Sequence, residues 1–354
     1  MDQRIQLELD GRTLEAEAGE TILSVARRNG VQIPTLCHDS RLEPAGACRM
    51  CLVEVEGFPR LLPSCATAVS AGMKVLSTNA RILRHRKMLL SLYAADLPGW
   101  PEAGTTGDQL AAVAQQLDGL ISIPPARSPR RGLPANTNPY LGHDPSLCIL
   151  CARCVRYCDE VAGVSAITLS ERGAATTIAT AGQQSLLHTT CELCGGCIDT
   201  CPTGAMFELK AGPRRDDAST KKVRTTCNYC GVGCQMDLCV EEGQVVKVSS
   251  PPPGETINDG NLCVKGRFVY DFIHHEDRLD TPLVRDEHGQ LVPASWEEAI
   301  QRAVDGLSDI AALHGAESLG FISSSRCTGE ENYLMQKLAR AAFGSNNVHS
   351  CAAT

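Results

Sequence analysis

Nineteen cysteines stand among the 354 residues of this chain, and their spacing says which chemistry they are suited to. They fall at 37, 48, 51 and 65; at 148, 151, 154 and 158; at 191, 194, 197 and 201; at 227, 230, 234, 239 and 263; and at 327 and 351. Thiolates separated by two residues can converge on one soft metal centre, whereas disulfide frameworks do not usually repeat Cys-x2-Cys in this way. Zinc is the plainer alternative, but it usually takes pairs of Cys-x2-Cys hairpins. The runs Cys148-x2-Cys151-x2-Cys154-x3-Cys158 and Cys191-x2-Cys194-x2-Cys197-x3-Cys201-Pro202 have instead the form that holds [4Fe–4S] clusters, in which the fourth cysteine of each run ligates the other cluster. One expected ligand set is therefore Cys148, Cys151, Cys154 and Cys201, and the second is Cys191, Cys194, Cys197 and Cys158. An internal repeat of this kind implies two clusters and hence passage of electrons, because a structural role needs only one. Asp159 stands where the first run would carry proline, a departure that removes no ligand.

Two further four-cysteine patterns flank this repeat. The first is Cys37-x10-Cys48-x2-Cys51-x13-Cys65, which lacks the plant-type Cys-x4-Cys-x2-Cys opening. The second is Cys227-x2-Cys230-x3-Cys234-x28-Cys263, one more four-thiolate site. Cys239 lies within the strand-like Met236–Val240 and is expected in the core. Cys327 and Cys351 have no spaced partner and are expected to be packed thiols. His274 and His275, beside Glu276, read as surface or interdomain histidines.

The elements that must position these residues can be read in outline. Ile5, Leu7 and Leu9 alternate with polar residues as a half-buried strand, Asp10-Gly11 is a hairpin signal, and Leu14 and Ala16 continue on the returning strand. Thr21–Gly30 is a short helix, apolar at 22, 25 and 26 and closed by glycine. Leu52–Val55 is a strand. Arg81–Leu92 is a helix with Met88, Leu89 and Leu92 on one face, and Pro124–Arg131 is a Pro- and Arg-rich linker. Near the other end, Trp296–Leu307 is an amphipathic helix and Leu319–Ile322 a buried strand. Thr328-Gly-Glu-Glu331 is a capping box for a helix over Asn332–Phe343, ended by Gly344. A β–α unit of this size cannot bury its own faces and needs the rest of a parallel sheet.

Composition excludes several classes. There are 33 Lys and Arg against 41 Asp and Glu, a net charge of −8, so no basic stripe is available to neutralise a nucleic-acid backbone. The amino terminus is alternating and charged, unlike a signal peptide. No run of 18 apolar residues exists, so no membrane span is expected. Cysteines in such number without a secretion signal point to a reducing, cytoplasmic setting and to metal binding.

These motifs carry a resemblance along the whole chain. Residues 1–80 resemble the β-grasp [2Fe–2S] ferredoxin domain that opens the large iron–sulfur subunit of NADH-quinone oxidoreductase and of NAD-linked hydrogenases and formate dehydrogenases. In those relatives a helix is followed by His-x3-Cys-x2-Cys-x5-Cys, a further [4Fe–4S] site. In 81–135 the corresponding positions hold Tyr93, Leu97, Trp100 and Thr106, none of which ligates iron as a cysteine does. That cluster is expected to be lost and its volume filled by packing. Residues 136–213 resemble a two-cluster ferredoxin. Residues 221–276 resemble the [4Fe–4S] domain of the molybdopterin oxidoreductases, in which the lysine two residues after the last cysteine, here Lys265, lies between cluster and pterin; the alternative for Lys265 is an exposed surface residue. Residues 277–354 resemble the incomplete start of the α/β molybdopterin oxidoreductase domain. The fold expected is therefore α+β and multidomain.

The stretches Ser324–Arg340 and Gly344–Ala352 are similar to cytoplasmic formate dehydrogenase catalytic subunits. There the metal-binding residue, a cysteine or selenocysteine, follows seven residues after a valine. Counted from Val348 it falls at position 355, one beyond the last residue. The resemblance thus implies the front part of a selenocysteine enzyme whose UGA codon reads as a stop, the rival being an ordinary boundary. It implies one [2Fe–2S] and three [4Fe–4S] clusters in this chain, and a Mo- or W-bis-pterin guanine dinucleotide in the full-length parent only. It also implies partners of the flavin/NAD-binding diaphorase type or hydrogenase subunits, and no formate activity for the chain alone. The alternative is a stand-alone electron-transfer subunit of an NAD-linked hydrogenase or NADH dehydrogenase-type complex.

Overall fold

A computed structural model describes residues 4–97, 109–117, 138–211 and 220–351. The chain divides into two compact units, 1–220 and 221–354.

In the first unit, β1 (Ile5–Leu9) and β2 (Arg12–Ala16) form the expected hairpin, in register from Ile5 opposite Ala16 to Leu9 opposite Arg12. Asp10 and Gly11 both have positive φ, 51° and 78°, the conformation a two-residue hairpin with right-handed strand twist requires. Helix α1 (Ile22–Arg28) is capped by the Thr21 hydroxyl, which accepts from Ser24 N–H, and it buries Ile22, Leu23, Val25 and Ala26 against the sheet. Strands β3 (Leu52–Val55), β4 (Leu62–Pro63) and β5 (Lys74–Leu76) complete a five-stranded sheet in the order β2-β1-β5-β3-β4, with β1 and β5 parallel.

Helix α2 (Ala80–Asp96) runs longer than its pattern suggested and turns a different face inward. Ile82, Arg86, Leu90 and Ser91 are buried, whereas Met88 and Leu92 are exposed. The reason is Arg86, a polar residue in an apolar stripe. Its guanidinium, 5% exposed, donates to Met50 O at 3.1 Å, Leu52 O at 3.2 Å and Ser77 O at 3.0 Å, which pins the Cys48–Cys51 loop to β3. At the end of α2, Tyr93 and Leu97 pack into a core that also contains Leu36, Cys37, Cys48, Met50, Ile149 and Leu110 of α3 (Gln109–Gln115). The apolar side chains at those two positions thus do fill space between cysteine sites; Trp100, Thr106 and the 124–131 linker lie outside the described residues.

The rest of this unit is built from short pieces: β6 (Leu141–His143), α4 (Arg153–Arg156) running into a single π-helical turn at 157–161, β7 (Thr168–Ser170), β8 (Thr177–Ala179), α5 (Gly196–Asp199) and β9 (Met206–Glu208). Strands β6 and β9 pair antiparallel, as do β7 and β8. So little regular structure leaves the fold to be fixed by what the cysteine loops surround.

In the second unit, β10 (Lys221–Thr226), β11 (Gln235–Glu241) and β12 (Gln244–Ser249) form an antiparallel sheet, with Cys239 fully buried as expected, and α6 (Val264–Phe268) follows. After the hairpin β13 (Leu283–Arg285) and β14 (Leu291–Pro293) comes α7 (Trp296–His314), capped by Ser295. Strand β15 (Phe321–Ser324) pairs parallel with β16 (Val348–Cys351), and α8 (Gly329–Lys337) opens on the full Thr328–Glu331 capping box. Two expectations are corrected here. The 319–322 stretch is one-sided, with Leu319 and Phe321 buried but Ile322 69% exposed. Cys327 is exposed, because it sits in the turn between β15 and α8 and not in a packed layer. Helix α7 buries none of its residues, and Trp296, Ile300, Val304 and Leu313 are exposed along it.

Candidate metal centres

Cys37, Cys48, Cys51 and Cys65 are each at most 4% exposed and converge from the loop after α1, the turn before β3 and the turn after β4. Their sulfurs meet in pairs. A hydrogen bond with the Cys48 thiol pulls Cys37 down while Cys48 is pushed up, and one with Cys65 pulls Cys51 down while Cys65 is pushed up. Backbone donors act on both sulfurs: Cys48 N–H reaches Cys37 Sγ at 3.4 Å and lowers Cys37 further, while the N–H groups of Leu36 and Met50 face Cys48 and oppose its rise. Arg49, between the paired cysteines, has φ 57°. Holding a non-glycine residue there costs about 1 kcal/mol, and it turns the loop's N–H groups toward sulfur. Four buried thiols with inward donors form an anionic cradle that a polycationic iron core satisfies.

The two ferredoxin-type runs repeat one local device. Leu150 and Leu193, each two residues after the first cysteine of its run, have φ 56° and 53°, and each donates its N–H to that cysteine's Sγ at 3.4 Å. Ala152 and Gly195 follow with φ 58° and 71°. The structure gathers the cysteines across the repeat. Cys148, Cys151, Cys154 and Cys201 line one hollow of about 320 Å³, counted with its open side, and Cys158, Cys191, Cys194 and Cys197 line another of about 400 Å³. Each hollow holds three cysteines of one run and the fourth of the other. Among the described residues no three or more His, Cys, Asp or Glu close on a single-ion centre; the sulfurs stand around spaces. Burial pushes Cys151 up to about 12 and Cys154 well above the usual thiol range, which favours the neutral thiols where no positive charge stands beside them. Gly196 makes room for the second set. A Cβ there would lie 1.9 Å from the Tyr157 ring, which lines the same hollow.

A polar junction ties the first site to this segment, and the spacing argument missed it. Asp39, two residues after Cys37, accepts from Arg41 N at 3.1 Å, Arg41 Nε at 3.0 Å, Arg41 Nη2 at 2.9 Å, Thr200 Oγ1 at 2.8 Å and Arg153 Nη2 at 3.4 Å. Burial opposes its ionisation, but the Arg41 and Thr200 hydrogen bonds hold the carboxyl well below the usual carboxylate range. Arg153 also donates to Thr200 Oγ1 at 3.1 Å and Gln109 Oε1 at 2.7 Å. Arg156 reaches Cys37 O at 2.5 Å and Glu43 O at 2.6 Å, and Glu43 N–H donates to Glu160 Oε2 at 2.7 Å. The only sequence signal was two arginines inside a cysteine run, Arg153-Cys-Val-Arg156. Burial raises the Tyr93 phenol, as do the Cys48, Cys151 and Cys37 thiols around it, which puts its ring beside two cysteine sets at once.

In the second unit, Cys227 is buried, Cys230 and Cys234 half-buried and Cys263 exposed. Cys227 N–H donates to Cys234 O at 2.7 Å, and burial raises both Cys227 and Cys234, with Cys230 and Cys263 adding to the rise. A Cβ on Gly266 would stand 3.3 Å from Cys227 Sγ, so helix α6 packs on this sulfur through a glycine. Lys265 is half-buried on the same helix, between the two alternatives foreseen for it. His274 is exposed and accepts from Val245 N–H through Nε2, and His275 is exposed.

Residues 2–80 match the profile of the 2Fe-2S iron-sulfur cluster binding domain, and 138–207 that of the NADH-quinone oxidoreductase subunit 3 ferredoxin-like domain. Residues 220–275 match the molybdopterin oxidoreductase Fe4S4 domain, and 278–353 the molybdopterin oxidoreductase profile. Among curated proteins, an NADPH-Fe(3+) oxidoreductase subunit alpha of Geobacter sulfurreducens is 34% identical over 98% of this chain and 40% of its own length. A subunit of an NADH-quinone oxidoreductase of Rhizobium meliloti is 35% identical over 97% and 40%. A Bacillus subtilis protein named as a formate dehydrogenase is 29% identical over 98% and 39%. The chain thus spans about two-fifths of the length of these relatives. Among solved structures, a chain of an NAD+-reducing [NiFe]-hydrogenase is 30% identical with a TM-score of 0.53, over 60% of this chain and 93% of that one. No described helix is long and apolar enough to cross a membrane. In this chain 2Fe-2S, ferredoxin-like and Fe4S4 domains thus stand in this order before a molybdopterin oxidoreductase region.

Proposed function

We propose that this chain is the electron-conducting part of a formate-oxidising molybdopterin oxidoreductase. The observation that carries the reading is the exchange of one cysteine between two runs around two adjacent hollows, beside a third cradle of four buried thiols. Bound in such sites, iron–sulfur clusters take up and release single electrons without moving protons. Cys37, Cys48, Cys51 and Cys65 would hold one [2Fe–2S]. Cys148, Cys151, Cys154 and Cys201, then Cys158, Cys191, Cys194 and Cys197, then Cys227, Cys230, Cys234 and Cys263 would each hold a [4Fe–4S]. The residues between them orient and insulate: left-handed loops aim N–H groups at sulfur, Tyr93 and Leu97 exclude water between two sets, and the Asp39 junction fixes the [2Fe–2S] loop to its neighbour. Lys265 would offer its ammonium to the pterin edge.

The overall reaction is formate to CO2 with release of one proton and two electrons. It belongs to the longer protein, at Mo or W held by two pterin guanine dinucleotides, with a flavin/NAD-binding or hydrogenase subunit receiving the electrons. Support for formate comes from the Ser324–Arg340 and Gly344–Ala352 similarity and from the formate dehydrogenase name of a relative. A second reading, an electron-transfer subunit of a hydrogenase or NADH-type complex, is favoured by the hydrogenase chain that this one matches over 93% of its length. The test is anaerobic reduction of the longer protein, loaded with Mo or W, by formate and separately by NADH with its partner subunit. Formate should bleach the cluster absorbance of this chain and reduce a viologen dye. Bleaching by NADH alone would replace the formate reading with the second.

A further inference from the structure

The [2Fe–2S] cradle lies within one domain, but one of its charges comes from another. Arg156 stands between Cys154 and Cys158, at the end of α4, and is thus part of the neighbouring cysteine run. Its Nη2 donates to the carbonyl of Cys37 at 2.5 Å and its Nη1 to that of Glu43 at 2.6 Å, both on the loop that carries the first [2Fe–2S] ligand. Its Nε–H is buried and has no hydrogen-bond partner among the described residues. The guanidinium is therefore held against a ligand's own backbone, with a donor left over. The Asp39 carboxylate is engaged elsewhere, with Arg41, Thr200 and Arg153.

We infer that Arg156 is a positioning and tuning residue for the [2Fe–2S] centre, supplied by the adjacent two-cluster segment, and that it raises the reduction potential of that centre. Reduction of a four-thiolate [2Fe–2S] adds one electron and no proton, so the centre gains one negative charge in a site from which water is excluded. A fixed cation nearby favours the reduced form. A unit charge roughly 10 Å from the added electron, at an effective dielectric near 20, shifts the one-electron equilibrium by about tenfold, which is about 59 mV. The consequence is functional. The potential of the [2Fe–2S] centre depends on its being docked against the run that holds Cys154 and Cys158, so an undocked loop is a poorer electron acceptor.

The inference rests on the [2Fe–2S] reading of Cys37, Cys48, Cys51 and Cys65, and the experiment separates the two. The whole chain, purified anaerobically with its clusters, is titrated with dithionite in the presence of mediator dyes, and the [2Fe–2S] signal is followed by EPR. Wild type is compared with Arg156→Gln, Arg156→Met, Arg156→Lys and the distant exposed control Arg4→Gln. The expected result is a downward shift of about tenfold in the [2Fe–2S] equilibrium for the two neutral variants, with Arg156→Lys within about threefold of wild type and Arg4→Gln unmoved. If the signal is present and both neutral variants titrate with wild type, the inference fails while the cluster reading stands. If Arg156→Lys shifts as far as the neutral variants, the residue acts through packing and the tuning role is overturned. Absence of any [2Fe–2S] signal in wild type overturns both.

Discussion

Asp39 is the residue whose loss should be most damaging without touching a cysteine. Its side chain is 3% exposed, and its two oxygens accept from Arg41, Arg153 and Thr200, of which the two guanidinium groups are each 6% exposed. In Asp39→Asn one oxygen becomes an NH2 facing donors, so two charge-assisted bonds are lost at about 1.5 kcal/mol each, or about 3 kcal/mol. In Asp39→Ala both arginines are left buried without their anion, and the cost rises to about 3–5 kcal/mol. Unfolding of a cluster-bearing chain is a rate and not an equilibrium. The assay is therefore the rate at which visible absorbance bleaches in a fixed concentration of guanidinium under argon. A loss of about 3 kcal/mol accelerates bleaching by up to roughly a hundredfold. Thr200→Val should be partly redundant with Asp39→Asn, with a coupling of about 1 kcal/mol in a double-mutant cycle. If Asp39→Asn bleaches at the wild-type rate, the carboxylate does not hold the two segments together and the junction has been misread.

Three other expectations follow from the geometry. Cys158→Ser should alter the same [4Fe–4S] EPR signal as Cys194→Ser, and not the one altered by Cys151→Ser, since Cys158 shares its hollow with Cys191, Cys194 and Cys197. Gly196→Ala should selectively destabilise that cluster, by about 1–3 kcal/mol, and shortening the opposing ring with Tyr157→Leu should recover part of the loss in iron content. Tyr93→Phe should be within about 0.5 kcal/mol of wild type. Tyr93→Ala should cost about 2–4 kcal/mol as a cavity opens between two cysteine sets, read as faster bleaching of both the [2Fe–2S] and the nearest [4Fe–4S].

What the sequence made legible was local. The Cys-x2-Cys loops of the two ferredoxin-type runs were legible, because left-handed residues such as Leu150 and Leu193 bring their sulfurs round within a few residues. Strand β1, the Asp10-Gly11 turn and the Thr328 capping box were readable for the same reason. The Asp39–Thr200 and Arg156–Cys37 contacts join residues 161 and 119 positions apart, and nothing in either neighbourhood marks the partner. The inward face of α2 was misjudged because Arg86 buries its charge on three carbonyls, which an apolar-periodicity argument reads as a surface position. Cys327 was expected to be packed from its residue type alone, whereas its place in the β15–α8 turn decides its exposure.

The central claim is that these cysteines hold clusters and not single ions, and elemental analysis of the anaerobically purified chain tests it most directly. Iron, zinc and acid-labile sulfide should be measured on one preparation, with EPR after dithionite reduction. One [2Fe–2S] and three [4Fe–4S] centres require about fourteen irons and about as many sulfides per chain, with a broad visible absorbance and two classes of reduced signal. A colourless protein with stoichiometric zinc and no labile sulfide would contradict the account at its foundation.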